Sequence, residues 1–229
     1  MLGISSAVVG LVSLVLLAGP THADVADFPI QQQVRLEHYV APPPDAFFAR
    51  AEAAEMLVIQ DARTPEQAAR ALADSEYSVF RFADVMGPSF TADVLPKTAA
   101  FFQRVHQVSA HLLEPLKRKW MRLRPFEQDE RIKPVIHPSR SPSYPSGHAT
   151  FGYLAGVLLA DMVPERRDAI LSRAREYGEN RVIGGVHFPS DVAAGREVAI
   201  VLAIELRSSA EFRDSFEEVR TEIRRALAF

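Results

Sequence analysis

The chain has 229 residues, of which 48% are hydrophobic and 24% charged, and its formal net charge at pH 7 is −3. This balance is typical of a folded globular domain with ample apolar material for a core, not of a disordered chain. A net charge so close to zero argues against a protein that coats nucleic acid with its whole surface, and we expect no nucleic-acid partner. Cysteine is absent from the sequence, which excludes disulfides, thiolate metal sites and cysteine nucleophiles.

The first 23 residues differ from the rest of the chain. Residues 1–23 contain no Lys, Arg, Asp or Glu, and Leu11–Ala18 is almost purely aliphatic. This apolar run is shorter than the roughly 20 residues that cross a bilayer, and it ends in small residues of the kind that a signal peptidase recognises. We therefore expect residues 1–23 to be a signal peptide. Residues 24–229 would then be periplasmic or secreted, without stable insertion in a membrane.

The remaining sequence predicts helices joined by short segments. Phe47–Ala62 is rich in Ala and Glu without an interior Gly or Pro, and Thr64–Gln67 has the residue types of a capped helix start. A further helix is predicted over Lys97–Arg124, ended by Pro125. Residues 126–145 form a predicted proline-rich loop, of a length that is usually functional. Further helical patterns cover 148–162, 165–178, 190–206 and 211–227. Because strand and hairpin patterns are lacking, we predict a single all-α domain.

A basic cluster precedes the predicted loop. Five of the eight residues in Lys117–Arg124 are cationic, a pattern that is ordinarily a solvated helix face. Lys117 and Arg124 are seven residues apart, however, and would project from the same face of the predicted helix. A guanidinium fork beside an ammonium charge suits the binding of a tetrahedral oxyanion.

A second candidate site is the segment Ser143–Thr150. Ser146 lies between Pro145 and Gly147, just before an apolar helical pattern. Unpaired backbone N–H groups at a helix N-terminus favour anions, and Gly147 lets a ligand approach the backbone closely. His148 could give a proton to a group bound there. The alternative interpretation is that Ser146 only caps the helix, beside an incidental histidine.

The third candidate site contains a histidine and a carboxylate. His187 and Asp191 are four residues apart, close enough for a hydrogen bond that would fix the imidazole tautomer and leave the other ring nitrogen unprotonated. A structural contact or a metal site would also explain such a pair taken alone. Gly184-Gly185 and Pro189 constrain the turn that carries His187, and Arg181 adds a second guanidinium.

The three segments together form a signature within residues 117–191: Lys-x6-Arg-Pro, Pro-Ser-Gly-His and Asn-Arg-x5-His-x3-Asp. This signature resembles the phosphatidic acid phosphatase type 2 superfamily and, within it, the class A bacterial nonspecific acid phosphatases. The usual pattern has Ser-Arg where this chain has Asn180-Arg181, so ten of eleven fixed positions match. The resemblance extends to Met-Arg-x-Arg-Pro-Phe at 121–126 and Ser-Tyr-Pro-Ser-Gly-His at 143–148. It implies a compact multi-helix bundle of the acid phosphatase/vanadium haloperoxidase type.

The resemblance also implies roles for individual residues. His187 matches the nucleophile that attacks phosphorus and becomes a phosphohistidine, Asp191 the residue that orients it, and His148 the general acid. Neither a metal nor another cofactor is expected. We expect Asn180 to alter affinity by removing a hydroxyl from the rim of the phosphate site. The residues that match the phosphate-binding cage are Lys117, Arg124, Ser146, Gly147 and Arg181.

The function implied by the resemblance is an exported, metal-independent acid phosphatase that hydrolyses small phosphate monoesters with broad specificity. Three alternatives stay open: a lipid phosphate or diphosphate phosphatase at the membrane face, a vanadate-dependent haloperoxidase, and a noncatalytic oxyanion-binding protein. The sequence is compatible with a homo-oligomer. Among the other histidines, His106 and His111 are expected at core or surface helix positions, while His137 is a candidate to line the pocket.

Overall fold

The computed structural model describes residue 28 and residues 34–228. It is 70% helical, and the described residues contain no strand, which confirms the predicted all-α class. Three short 3-10 helices supplement the α-helices. The α-helices are α1 (Ala46–Ala62), α2 (Pro65–Ala73), α3 (Ala83–Met86), α4 (Pro96–Trp120), α5 (Pro125–Gln128), α6 (Gly147–Met162), α7 (Arg167–Ile183), α8 (Pro189–Leu206) and α9 (Ala210–Ala226).

Helix α6 is the centre of the bundle. It is apolar around its whole circumference and packs mainly against α7 and α8, with further contacts to α4 and α9. Two glycines let α7 approach closely: a Cβ on Gly152 would lie 2.4 Å from the Tyr177 ring, and one on Gly156 would lie 2.4 Å from the Cβ of Ala174. Close packing of these helices fixes the N-terminal end of α6 relative to the C-terminal half of α7.

The capping signal at the start of α2 acts as predicted. The Thr64 hydroxyl accepts a hydrogen bond from the Gln67 backbone N–H at 3.2 Å, and the Gln67 side chain accepts one from the Thr64 N–H at 2.9 Å. This reciprocal pair satisfies two N–H groups at the helix end. Helices α1, α6, α8 and α9 begin and end within one residue of their predicted bounds.

The prediction of one helix over Lys97–Arg124 was wrong at its C-terminal end. Helix α4 ends at Trp120, because Met121 adopts a left-handed conformation with φ of 45°. Arg124 instead precedes α5, in which Pro125 is the first residue. Lys117 and Arg124 therefore do not share a helix face. Pro125 both disfavours a helical residue before it and suits the first position of a new helix.

Two further boundaries differ from the prediction. The helix predicted over 165–178 continues to Ile183. Gly178 does not end the helix but allows close packing, since a Cβ there would come within 2.9 Å of the Tyr153 ring. The loop predicted over 126–145 begins later, because α5 extends to Gln128. The extension of α7 places Asn180 and Arg181 on a helix whose position the core determines.

Crossing a membrane requires a longer or more apolar helix than any in the described part of the chain. The expected signal peptide, residues 1–23, lies outside the described residues.

Candidate active site

The three signature segments meet at a cavity of about 400 Å³. The cavity lies among the C-terminal ends of α4 and α7, the N-terminal end of α6 and the loop before α8. Six of the eight predicted site residues line it: Lys117, Arg124, Gly147, His148, Arg181 and His187. His137, Ser139 and Ser141 of the loop between α5 and α6 also contribute to the wall.

His187 and Asp191 form the predicted pair at the inner wall. The Nδ1 of His187 lies 3.3 Å from the Oδ2 of Asp191, and both side chains are buried. The same carboxylate oxygen accepts hydrogen bonds from the Phe188 backbone N–H and the Ser143 hydroxyl. Because a carboxylate only accepts, Nδ1 carries the proton of the neutral imidazole, and Nε2 keeps its lone pair.

The charge state of this pair follows from burial and from its partners. Burial lowers the pKa of His187 to about 3, against the opposing effect of the hydrogen bond with Asp191. Burial alone would raise the pKa of Asp191, but His187 and Arg122 hold it below its usual value. His187 is thus neutral and Asp191 ionised at mildly acidic pH, which is the state that a nucleophilic imidazole requires.

Backbone carbonyls hold two of the cations. The Arg124 guanidinium donates to the carbonyls of Val186 and Ser141 at 2.8 and 2.9 Å, and its NH1 lies 3.3 Å from the Nε2 of His187. The Lys117 ammonium donates to the Pro142 carbonyl at 2.6 Å. Lys117 and Arg124 thus meet at one cavity, as their proposed joint role requires, although they reach it from different elements.

Arg181 has a different environment. Its side chain is only 4% exposed, and its Nε and NH1 have no hydrogen-bond partner among the described residues. Burial lowers the pKa of Arg181 to about 10, so the guanidinium stays charged at neutral pH. A buried charge without a partner is costly, and this one lines the same cavity as His187. The arrangement suits an anionic ligand with several acceptor oxygens.

His148 begins the first turn of α6. Its Nε2 lies 2.9 Å from the Ser75 carbonyl oxygen. Because a carbonyl only accepts, Nε2 carries the proton of the neutral ring, and Nδ1 is the nitrogen that can gain and release a second proton. Burial lowers the pKa of His148 well below its usual value, and the positive charge of Arg181 lowers it further. An anion bound beside the ring would have the opposite effect on this pKa.

Ser146 and Asn180 do not belong to the cavity wall. The Ser146 hydroxyl accepts from the Ala149 N–H at 3.3 Å and caps α6, as the alternative interpretation of this segment proposed. Its contact with phosphate therefore stays a prediction. The Asn180 amide donates to the buried Asp74 carboxylate at 2.8 Å. The expectation that Asn180 lies on the rim of the phosphate site was wrong, because its side chain is buried and bonded to Asp74 and does not line the cavity.

Asn180 belongs to a network that supports His148. The Asp74 carboxylate also accepts from Arg173 at 2.6 Å and from Arg81 at 3.0 Å. Asp74 directly precedes Ser75, whose carbonyl is bonded to the His148 ring. The network thus fixes the end of α2 and, through it, the tautomer of His148.

A second buried network lies behind Asp191, and the sequence motifs did not reveal it. Arg122 donates to the Asp191 carboxylate at 2.6 Å and to the Glu52 carboxylate at 2.8 Å. Glu52 in turn accepts from the Ser190 backbone N–H at 2.7 Å. Arg122 belongs to the Met-Arg-x-Arg-Pro-Phe match, but that match assigned no role to this residue. Glu52 on α1 and Tyr77, which lines the cavity, gave no signal.

Metal binding has no evident support in this region. Among the described residues, no group of three or more His, Asp or Glu side chains could hold a metal ion. The expected metal independence stays a prediction.

The helical bundle encloses a cavity that combines fixed cations with a buried His–Asp pair, and this combination suits a tetrahedral oxyanion. Comparisons with known proteins agree. Residues 102–214 match the PAP2 superfamily. The chain is 30% identical over 172 residues to a non-specific acid phosphatase of Providencia stuartii, covering 70% of this chain and 68% of that protein. It is 32% identical over 149 residues to an acid phosphatase of Zymomonas mobilis, covering 63% and 56%.

A solved structure shares the fold. It is that of a transmembrane PAP2 type phosphatidylglycerolphosphate phosphatase from Bacillus subtilis, with a TM-score of 0.52, 19% identity, and coverage of 72% of this chain and 86% of that one. The chain belongs to the PAP2 superfamily, and its homologues include non-specific acid phosphatases. The family resemblance, the bundle type and the phosphatase class predicted from the signature are confirmed at the level of these homologues.

Proposed function

We propose that this protein is an exported acid phosphatase that hydrolyses small phosphate monoesters with broad specificity through a phosphohistidine on His187. The observation that carries the proposal is the shared cavity, in which the Nε2 of His187 lies 3.3 Å from Arg124. Arg181 lines the same wall, and two of its guanidinium nitrogens have no partner among the described residues. The relatives that are named acid phosphatases support the same reaction.

The cations bind and orient the phosphate group. Lys117, Arg124 and Arg181 hold the non-bridging oxygens, while backbone N–H groups at Gly147 add the positive end of the α6 dipole. Carbonyl contacts hold Lys117 and Arg124 in place before the substrate arrives. Charge that spreads over these oxygens in the transition state therefore meets donors that need little rearrangement.

The first chemical step transfers the phosphoryl group to the enzyme. The Nε2 of His187 attacks phosphorus, and the bond from phosphorus to the ester oxygen breaks with its electron pair on that oxygen. The Nδ1–H of protonated His148 gives the leaving alcohol its proton. Asp191 stabilises the positive charge that develops on the His187 ring.

The second step releases phosphate. Water attacks the phosphohistidine and gives a proton to the Nδ1 of His148, and the nitrogen–phosphorus bond breaks to restore neutral His187. The dianionic ester opposes the effect of burial on the His148 pKa, so the complex holds the proton that the free protein lacks. The need for this proton explains why we expect the reaction to be fastest at acidic pH.

Trapping of the intermediate tests the proposal. The protein is incubated with phenyl phosphate labelled on phosphorus and quenched in alkali, in which phosphohistidine survives. We expect label on the wild-type chain, none on His187→Ala, and greater accumulation on His148→Ala, whose phosphohistidine lacks a base for hydrolysis. His111→Ala, altered on the exposed face of α4, is the matched control. Label on His187→Ala, or wild-type turnover by that variant, would contradict the proposal.

Export and the alternative activities need separate measurements. N-terminal sequencing of the extracytoplasmic protein should give Asp24 as its first residue. Phosphatidate in detergent micelles, compared with p-nitrophenyl phosphate, tests the lipid phosphatase, and bromide oxidation with vanadate and peroxide tests the haloperoxidase. We expect the soluble ester to be the better substrate and bromide oxidation to be negligible.

A further inference from the structure

Tyr77 forms the middle of a stack of three rings beside the active site. Its ring centroid lies 3.7 Å from that of His148 at an interplanar angle of 28°, and 4.0 Å from that of His106 at 30°. Tyr77 follows the end of α2, whereas His106 lies on α4 and His148 on α6. The stack therefore connects the proposed general acid on α6 with α4.

The two ends of the Tyr77 side chain differ in their surroundings. Its hydroxyl lies against the N-terminal end of α6, because a Cβ on Gly147 would come within 3.0 Å of that oxygen. Burial raises the pKa of Tyr77 to about 12, so the hydroxyl is a neutral donor at working pH. The residue as a whole is nevertheless 40% exposed, and because His106 and His148 cover the faces of the ring, a ligand would meet the edge of the ring.

Tyr77 also lines two cavities. It lines the phosphate cavity together with His148, and it lines a second cavity of about 450 Å³ together with His106. The second cavity has an aromatic wall, and two of its phenylalanines are almost completely buried. The aromatic wall consists of Tyr77, Phe80, Phe102 and Phe151.

The proposed chemistry places the organic part of the substrate on the Tyr77 side of the phosphate cavity. The leaving oxygen must reach the Nδ1 of His148, because Nε2 is bonded to the Ser75 carbonyl. The group attached to that oxygen therefore leaves the phosphate cavity beside the His148 ring, where Tyr77 is stacked. Because Tyr77 also lines the aromatic-walled cavity, that cavity is the space on the far side of this residue.

We propose that Tyr77 and this second cavity form a leaving-group subsite that favours monoesters whose alcohol carries an aromatic ring. The inference rests on the proposed phosphatase function. Edge-to-face contacts with Tyr77 and contacts with the phenylalanines of the second cavity supply the selectivity, because the two histidines already cover the faces of the Tyr77 ring. The phosphate cage treats all monoesters alike, whereas the subsite distinguishes aryl from small alkyl esters.

The experiment compares kcat and KM for 2-naphthyl phosphate and glycerol 2-phosphate. Tyr77→Leu should lower kcat/KM for the naphthyl ester by about 3- to 10-fold more than for the glycerol ester, mainly through KM. Tyr77→Phe retains the ring and should keep the wild-type ratio. Ala99→Phe, which narrows the second cavity without altering Tyr77, should raise KM for the naphthyl ester alone. Ala100→Phe, at the exposed neighbouring position on α4, is the matched control.

A larger loss with the glycerol ester would indicate a different role for Tyr77. If Tyr77 only positioned His148, its loss would impair the glycerol ester more, because a poor leaving group depends more on the proton. That pattern, or equal losses for both esters, would overturn the inference, as would an Ala99→Phe variant with unchanged KM for the naphthyl ester. If Tyr77→Leu fails to fold, Ala99→Phe decides alone. A wild-type protein that hydrolyses neither ester would instead refute the proposed function.

Discussion

Arg122 donates a 2.6 Å hydrogen bond to Asp191 from the side of the carboxylate opposite to His187. Its second branch donates to Glu52 at 2.8 Å, and all three side chains are less than 10% exposed. Glu52 therefore balances a positive charge that would otherwise neutralise Asp191. This balance determines how much negative charge Asp191 offers to the imidazolium that forms on His187.

Glu52→Gln should lower kcat by about 10-fold with little change in KM, by analogy with the loss of a residue that orients a metal ligand. The variant keeps the shape of the side chain but leaves the charge of Arg122 to act on Asp191 alone. Steady-state kinetics with p-nitrophenyl phosphate measures the effect. A rise in KM with unchanged kcat would mean that Glu52 acts on substrate binding instead.

Arg122→Met should lower the free energy of unfolding by about 3–5 kcal/mol, because it leaves the buried carboxylates of Glu52 and Asp191 without their partner. Urea denaturation measures this loss. The exposed pair Lys97–Glu218 provides the control, since Glu218→Gln should cost no more than about 1 kcal/mol. Similar losses for the two variants would contradict the importance of the buried network.

The pKa of the Lys117 ammonium predicts how activity changes at alkaline pH. Burial, aided by Arg124, lowers the pKa of Lys117 to about 8, so the ammonium is lost from the folded protein as pH rises through that value. We expect kcat/KM to fall there, and the corresponding step in the pH profile to disappear in Lys117→Met, which should be at least 10-fold less active.

A measurement of protein stability distinguishes the loss of activity by deprotonation of Lys117 from a loss of activity by unfolding. Between about pH 8 and the usual lysine pKa, the unfolded chain binds more protons at Lys117 than the folded chain does. The contribution of Lys117 to the free energy of unfolding therefore rises with pH over this interval. A loss of activity near pH 8 that coincided with unfolding would contradict the assignment.

The sequence identified the elements and residues whose signals are local. The Pro-Ser-Gly-His segment gave the start of α6 to within one residue, and the capping residues of α2 have the predicted contacts. The end of α4 could not be predicted, because Met121 adopts its left-handed conformation without the Gly or Asn that usually marks one. The next residue, Arg122, is buried and bonded to Asp191 and Glu52, which are contacts that a local pattern does not contain.

The parts of the site that escaped prediction come from distant segments. Glu52 and Tyr77 lie outside the signature, and neither residue type is unusual in an amphipathic helix or a loop. Their contacts with Arg122 and His148 exist only once α1 and the end of α2 pack beside the signature segments. A local pattern cannot reveal such contacts, because they depend on the packing of the whole bundle.

Asn180→Ser would restore the residue of the usual family pattern, and its effect should be structural. The shorter side chain would withdraw a donor from the buried Asp74 carboxylate, so the free energy of unfolding should fall by about 1–3 kcal/mol. KM should stay within about 2-fold of wild type, because Asn180 does not line the cavity. Thermal unfolding and steady-state kinetics test both parts. A large change in KM with unchanged stability would restore the original expectation of a residue at the rim.

Arg181 should lower the stability of the ligand-free protein and strengthen the binding of phosphate. Its Nε and NH1 lack partners within the described residues, so folding without a ligand buries a charge that water would otherwise solvate. Arg181→Met should therefore raise the free energy of unfolding in phosphate-free buffer by about 1–3 kcal/mol.

Wild-type protein should gain stability as inorganic phosphate is added, following the mass-action relation for a ligand that binds only the folded state, whereas Arg181→Met should gain little. Thermal unfolding across a phosphate titration measures both effects, with sulfate-free chloride of equal ionic strength as control. A variant that is less stable without phosphate, or that is stabilised by phosphate as strongly as wild type, would show that the Arg181 guanidinium serves the fold and not the ligand.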